Sequence, residues 1–318
     1  MRISWIGNHE EGLEAFRQTA EKGYVTAFIT LDDEAFAKRS AGSRDYGGIC
    51  ERFGIPVYPV DTIKGERAYE ILKEQQPELL VVLGWSEILP KRLLDIPTIG
   101  TVGTHAALLP HNRGSAPINW ALIRGEEETG NTLMWLSAEV DAGEIADQRA
   151  FPISLFDTCK TLYDRVAETN AEMIDALIRK LEAGRRPVLP IRNKSDEAIL
   201  PRRRPKDGLL NWQQGARQIY DFIRALTIPY PGAFSYLNGK KYLLWEAMVL
   251  PAGSEAEPGT ILGMAYGFGE RGCGLCVATK DSILCITLLE DGEGKRYSGR
   301  ELYELGLSGC FTDYDGGE

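Results

Sequence analysis

Five consecutive apolar residues, Leu79–Leu83 (LLVVL), constrain this chain more than any other feature. A strand with one face in water alternates apolar and polar side chains, whereas an unbroken aliphatic run needs cover on both faces. Helices packed on the two sides of a mostly parallel sheet supply that cover. The surrounding pattern agrees. Strands are expected at Ile3–Ile6, Tyr24–Leu31 and Val57–Pro59, with helical patterns over 11–22, 47–53 and 67–76 and a polar stretch at 32–46. Strand–helix alternation of this kind builds βαβ units, whose ligands sit beyond the carboxyl ends of the strands. Chemistry is therefore expected in the segments that follow strands, above all 84–90 and 100–113.

The clearest helical pattern runs from Ser154 to Gly184. Leu162, Val166, Ile174, Leu177, Ile178 and Leu181 form one stripe, Asp157 is the expected cap and Gly184 the expected stop. Residues 188–206 then carry six basic and two acidic side chains, three prolines and no periodicity, the composition of a linker. Beyond it come a helical pattern over 212–225 and short strands at Ala233–Leu237, Lys241–Val249, Gly259–Leu262, Cys273–Ala278 and Ile283–Leu289. A helix followed by short strands with Asn238-Gly239-type turns reads as a small β-barrel. A chain of 318 residues exceeds one ordinary core. The expected division is a catalytic α/β domain at 1–187, a linker at 188–206 and a barrel at 207–318.

The 46 acidic and 36 basic side chains leave a net charge of −10, which disfavours phosphate backbones unless basic residues are gathered in one place. Arg202-Arg203-Arg204-Pro205-Lys206 is such a gathering, and reads either as a phosphate grip or as a solvated linker. No run of about 18 apolar residues is present to span a membrane. The chain enters a strand at once, without a leader, so a cytoplasmic location is expected. Cys273 and Cys276 form a C-x-x-C with Cys285 nearby, but no second ligand pair accompanies them, and they are expected to be reduced core residues rather than a metal site. The fingerprints of dinucleotide, P-loop and nucleophile-elbow proteins are missing.

His105 follows a short apolar segment expected as a strand, Ile99–Val102, and precedes a loop ending at Arg113-Gly114. On the residues alone it is either a structurally satisfied histidine or a general acid/base and oxyanion donor. Asp141 lies in Val140-Asp141-Ala142-Gly143, after the expected strand Thr132–Leu136. Small residues beside it let the backbone approach a ligand closely, and its carboxylate can orient and charge a histidine. His9 and His111 are weaker candidates, read as solvated loop residues.

Taken together, His105, Leu108-Leu109-Pro110, Arg113-Gly114, Ala116–Trp120, Gly125–Thr132, Asp141-Ala142-Gly143, Asn211-Trp212, Pro229–Phe234 and Pro258-Gly259-Thr260 resemble the 10-formyltetrahydrofolate-dependent formyltransferases. The likeness covers nearly the whole chain. It implies a Rossmann-like domain followed by an OB-like barrel, and N-formylation of a primary amine with 10-formyltetrahydrofolate as co-substrate. By the same resemblance, His105 stabilises the tetrahedral oxyanion and takes part in proton transfer, and Asp141 orients His105. The pterin is held by Trp85, Ser86, Glu87 and Ile88 and by Ala138, Glu139 and Val140, while Arg113 faces a substrate phosphate or carboxylate. One position departs from the family pattern, since Gly103 stands where an Asn amide usually donates to the oxyanion. Losing one such donor typically lowers the rate on the order of 10²–10³-fold. Either a neighbouring group such as the Thr104 hydroxyl, a backbone N–H or a water takes over, or the substrate is held differently, or the protein binds folate with little turnover.

The acceptor follows from charge and likeness. Relatives that formylate methionyl-tRNA carry a basic loop after the second strand, and the matching residues 33–45 here have three basic and three acidic side chains. The sequence looks most like the enzymes that formylate nucleotide-linked amino sugars, such as the UDP-4-amino-4-deoxy-L-arabinose formyltransferase domain. A small-molecule amine, most of all a sugar nucleotide, is therefore the expected partner, with tRNA or another small amine as alternatives. A low-activity folate-binding protein is the alternative of another class, and a homodimer is the assembly considered.

Overall fold

The Leu79–Leu83 run forms β4, the fourth strand along the chain, with all five residues buried. It is the middle member of a seven-stranded sheet in the computed structural model, which describes residues 1–38, 45–189, 198–267 and 273–314. The other members are β1 (Ile3–Gly7), β2 (Val25–Leu31), β3 (Val57–Val60), β5 (Gly100–His105), β6 (Glu128–Trp135) and β7 (Ile145–Pro152), in the order β3-β2-β1-β4-β5-β6-β7. The pairs from β3 to β5 are parallel, whereas β5–β6 and β6–β7 are antiparallel. Helices α1 (Leu13–Glu21), α2 (Asp33–Ala37), α3 (Asp45–Phe53), α4 (Glu66–Gln75), α5 (Lys91–Leu94), α6 (Pro117–Ile123) and α7 (Cys159–Glu182) connect or follow these strands.

Both sheet faces carry a core, as the LLVVL run requires. Ile3, Trp5, Val81, Leu83, Val102, Leu133 and Trp135 pack with Phe16 of α1, Tyr46 of α3 and the Ile174–Leu177–Ile178 stripe of α7. Ile6, Ile29, Leu80 and Val82 pack on the other face with Leu72 of α4 and Leu93 of α5. The stop at Gly184 is as expected: its φ is 71°, and the N–H groups of Gly184 and Arg185 return to the carbonyls of Leu181 and Lys180 at 2.9 Å each. At the start, α7 begins at Cys159, and Asp157 accepts from the Ser154 N–H at 2.7 Å and from the Thr161 hydroxyl at 2.9 Å, while Thr158 exchanges backbone-to-hydroxyl bonds with Thr161.

The chain divides into two compact units, residues 1–117, 128–152 and 162–201, and residues 118–127, 153–161 and 202–318. The second contains α8 (Ala216–Leu226), β8 (Ala233–Leu237), β9 (Lys240–Leu250), β10 (Ile261–Tyr266), β11 (Cys273–Ala278), β12 (Ile283–Glu290), β13 (Arg296–Ser298), α9 (Gly299–Glu304) and β14 (Phe311–Thr312). Its sheet runs β10-β11-β12-β9-β8-β14, antiparallel throughout, with β13 added to β12. A bridge between Thr260 and Cys310 joins the two ends, with the Ile261 N–H donating to Gly309 O at 2.9 Å and the Phe311 N–H to Gly259 O at 2.8 Å. The sheet thus closes on itself.

Within the expected linker, Leu189 bridges to Ile145 and Leu200 to Gly114, so both described ends are held against the first sheet's own segments. Residues 190–197 of that linker, and residues 39–44 of the segment compared with the tRNA-binding loop, lie outside the described residues. Arg203 stacks on the rings of Trp120 and Phe222, at 5.0 and 5.3 Å from their centroids, which makes it a packed side chain rather than a free phosphate grip. Arg202 and Arg204 are both exposed, and the Arg204 backbone N–H donates to Asp207.

Candidate active site

His105 is the last residue of β5, which extends three residues past its expected end because Gly103, Thr104 and His105 pair with Met134, Leu133 and Thr132 of β6. The pleat alternates side chains between faces. Thr101, Gly103 and His105 therefore share the face on which the Thr101 hydroxyl bonds to Leu94 O, while Thr104 shares the opposite face with Val102. That removes the Thr104 hydroxyl from the His105 side of the sheet.

Only 7% of the His105 side chain is exposed. Its Nε2 lies 2.8 Å from Asn112 O and its Nδ1 lies 3.6 Å from Asp141 Oδ1. A carbonyl only accepts, so Nε2 carries a proton, and Nδ1 faces the carboxylate. Asp141 is held in turn by the Gly114 N–H, which donates to Oδ2 at 2.9 Å. Its φ of 50° is left-handed, a conformation Asp tolerates better than most residues. The two residues the sequence singled out for chemistry are thus brought together.

The loop after β5 shapes this pair. Leu109–Pro110 is cis, and Asn112 turns left-handed at φ 55°, which aims its carbonyl at the histidine. Thr132 and Gln148 fix the loop to β6 and β7: the Thr132 hydroxyl donates to Ala107 O at 2.6 Å and accepts from the Leu109 N–H, and Gln148 Nε2 donates to Leu109 O at 3.0 Å. Sequence reasoning missed Asn112 and Gln148; the signal available was an Asn after Pro-x in a loop, the residue type that most readily turns left-handed. Gly143, expected to allow ligand approach, instead allows approach of the chain to itself, since a Cβ there would fall 1.8 Å from Trp135 O.

Gly103 is filled from outside. A Cβ at this position would meet Leu136 Cδ2 at 3.0 Å, Leu136 Cδ1 at 3.1 Å and Val82 O at 3.1 Å. The half-buried Leu136 thus stands where a larger side chain on β5 would project.

The expected pterin segments flank the pair in sequence. Trp85, half-buried, packs against the α4-side core with its Nε1 buried and without a hydrogen-bond partner among the described residues. The Glu87 carboxylate ties this loop to the segment after β3, accepting from the Ile63 N–H at 2.9 Å and the Thr62 hydroxyl at 3.1 Å. Ser86, Ile88, Ala138, Glu139 and Val140 are exposed. Arg113 is half-buried and its backbone carbonyl accepts from the Leu200 N–H, but its guanidinium has no hydrogen-bond or ion-pair partner among the described residues.

Two further groups lie just past β1, where the strand order reverses between β1 and β4 and ligands of such sheets bind. Asn8 is buried, its Oδ1 has no partner among the described residues, and its N–H donates to Gly84 O at 3.2 Å. Glu11 follows in the next turn, where burial pushes its carboxyl up to about 7. His9 is half-buried, and its carbonyl accepts from the Tyr46 hydroxyl at 2.8 Å.

Residues 8–178 match the formyl transferase family, and residues 203–305 match the formyl transferase C-terminal domain. A methionyl-tRNA formyltransferase of Geotalea uraniireducens is 34% identical over 267 residues, spanning 82% of this chain and 83% of that protein. Among solved structures, HypX of Aquifex aeolicus in complex with tetrahydrofolic acid aligns at a TM-score of 0.66 and 20% identity, over 98% of this chain and 48% of HypX. The chain therefore spans about half the length of HypX. An N-formyltransferase of Helicobacter canadensis, in complex with folinic acid and dTDP-3-aminofucose, aligns at a TM-score of 0.64 and 16% identity, over 93% of this chain and all of that one. The last two likenesses concern the fold.

Proposed function

Since the chain belongs to the formyl transferase family, we propose that it moves the formyl group of 10-formyltetrahydrofolate to a primary amine at the His105–Asp141 pair, and that the amine is carried by a small molecule, a nucleotide-linked amino sugar. The observation that carries the reading is the pair itself: a histidine at the carboxyl end of a parallel strand, with oxygen acceptors before both ring nitrogens. The amine nitrogen attacks the formyl carbon and a tetrahedral oxyanion forms. His105 stabilises that oxygen, a preorganised polar group where charge develops. The intermediate collapses by breaking the bond to the folate nitrogen, which takes up a proton as the acceptor nitrogen loses one. Asp141 orients His105. Trp85–Ile88 and Ala138–Val140 hold the pterin, largely through backbone groups, and Arg113 with its free guanidinium takes an acceptor phosphate or carboxylate. With Leu136 over Gly103, a backbone N–H or a water donates where the family's Asn does.

The small-molecule acceptor is supported by the net charge of −10 and by the packing of Arg203 between two rings, which withdraws one cation from the only dense basic run. A second reading, methionyl-tRNA as acceptor, is favoured by the 34% identity to a methionyl-tRNA formyltransferase. Purified protein mixed with 10-formyltetrahydrofolate and, separately, UDP- and dTDP-amino sugars or methionyl-tRNA decides between them. Tetrahydrofolate release only with an amino sugar is the expected result. Release only with methionyl-tRNA selects the second reading, release without any amine makes the protein a hydrolase, and folate binding without release makes it a binding protein.

A further inference from the structure

Outside the candidate active site, the strongest concentration of nucleophilic side chains is on β11 and β12. Cys276 and Cys285 are directly opposite each other in the antiparallel register of these strands. The type of pair follows from the neighbouring hydrogen bonds. Both backbone groups of Ala278 are used on the β10 side, its N–H donating to Thr260 O at 2.9 Å and its carbonyl accepting from the Gly259 N–H at 2.8 Å. Polar groups alternate sides along a strand, so Cys276, two residues earlier, also faces β10 with its backbone. Cys276 and Cys285 are therefore a non-hydrogen-bonded pair, the arrangement that brings opposed Cα atoms to about 4.5 Å. That spacing lies within the range a disulfide can bridge, about 4.4–6.8 Å.

Both side chains share one face of the sheet at this matched position. Gly274 leaves the space that the Cys285 sulfur fills, since a Cβ there would lie 2.4 Å from it. Exposure separates the two: Cys276 retains 9% of its surface and Cys285 none. The adjacent Cys285 thiol lowers the Cys276 thiol from its ordinary range while Cys285 is raised, so the more accessible of the two is also the more acidic. Their neighbour Cys273 is occupied otherwise, its thiol donating to Gly299 O at 2.7 Å.

We propose that Cys276 and Cys285 form a reversible cross-strand disulfide in the barrel, with Cys276 attacking and Cys285 resolving. With a low-molecular-weight disulfide such as oxidised glutathione as the two-electron oxidant, the Cys276 thiolate attacks one glutathione sulfur, forms a mixed disulfide and expels the other as glutathione. Cys285 then loses its proton, attacks the Cys276 sulfur and expels the second glutathione. The two cysteines are oxidised to one disulfide as the oxidant becomes two molecules of glutathione.

The test uses the full chain, incubated folded with oxidised glutathione, alkylated and digested with trypsin without reduction. Cleavage at Arg271, Lys280 and Lys295 places the two cysteines on separate peptides, 272–280 and 281–295. The expected result is that these peptides are joined, that dithiothreitol separates them, and that Cys50 and Cys159 remain free thiols. In Cys285→Ser, glutathione should stay trapped on Cys276; in Cys276→Ser, neither adduct nor link should form. Glutathione found only on the exposed Cys310, with 272–280 and 281–295 unlinked in the wild-type protein, would overturn the proposal, and that arm needs no variant to fold.

Discussion

The contact between Leu136 and Gly103 makes a quantitative prediction about the residue that departs from its family. In Gly103→Asn the new Cβ meets Leu136 at 3.0 and 3.1 Å and Val82 O at 3.1 Å. Overfilling a packed site of this kind costs about 1–3 kcal/mol. Replacing a strand glycine returns roughly 0.5–1 kcal/mol by restricting the unfolded chain. The net loss is about 1–2 kcal/mol, or about 3–6 °C in the melting temperature of a unit this size. Leu136→Ala removes a half-buried side chain and should cost about 1–2 kcal/mol, below the usual range for a fully buried leucine. If Leu136 is the obstacle, the double variant should be scarcely less stable than Leu136→Ala alone, giving a coupling of about 1–2 kcal/mol in a double-mutant cycle. The same double variant carries an amide on the His105 face of β5, and its turnover should exceed that of Leu136→Ala on the order of tenfold to a hundredfold. Melting curves and tetrahydrofolate release measured on the four proteins provide the test. A coupling below about 0.5 kcal/mol would show that Leu136 does not fill this place. Coupling without a gain in rate would show that an amide at position 103 is not what the reaction lacks.

Further outcomes can be measured on the same protein. His105→Ala should lower turnover at least about tenfold, and so should Asp141→Asn, which keeps the left-handed backbone accessible while removing the charge; full activity in either would remove the pair from the mechanism. Gly143→Ala should destabilise by about 3 kcal/mol or more, because its Cβ overlaps Trp135 O, and a melting temperature equal to wild type would contradict that packing. Glu11 is raised by burial from 4.5 to about 7. The folded chain then holds this proton more tightly than the unfolded one, so stability falls as pH rises from about 4.5 to about 7 and levels off above. Glu11→Gln should flatten that fall and leave the protein more stable than wild type at pH 8, and superimposable pH profiles would place the carboxyl in water. Arg203→Ala should cost about 1–2 kcal/mol through the lost ring contacts, against about zero for the exposed Arg202→Ala, as read by urea denaturation.

The parts of this fold that were legible in the sequence are those where one physical requirement dominates a segment. Leu79–Leu83 is a strand from its first residue to its last because nothing but a doubly covered strand accommodates such a run. Elements were misjudged where polar residues are buried by partners distant in sequence. β6 begins at Glu128 rather than Thr132, since Thr129 and Asn131 are buried and Asn131 spends its amide on Thr169 and Asn170 of α7. The same limit governs the candidate site. His105 and Asp141 stood out as chemistry-bearing residues beside strand ends, and a carboxylate 36 positions away could be paired with the histidine only through likeness to a family. What surrounds them is set by backbone conformation: a cis Leu109–Pro110 bond, a left-handed Asn112 that turns a carbonyl onto Nε2, and a Gly114 N–H on Asp141. Main-chain groups are the same at every residue, so sequence identifies them only through the turns that aim them. The Thr104 hydroxyl shows the reverse case, because the two-residue period of a strand suffices to exclude it once β5 is known to reach His105. The pleat and the packing of Leu136 on Gly103 act together: one sends the Thr104 hydroxyl to the other face, and the other crowds the place where a side chain at 103 would begin. Under the proposed mechanism the oxyanion donor is then a backbone N–H or a water, and the Gly103→Asn, Leu136→Ala pair measures what that exchange is worth.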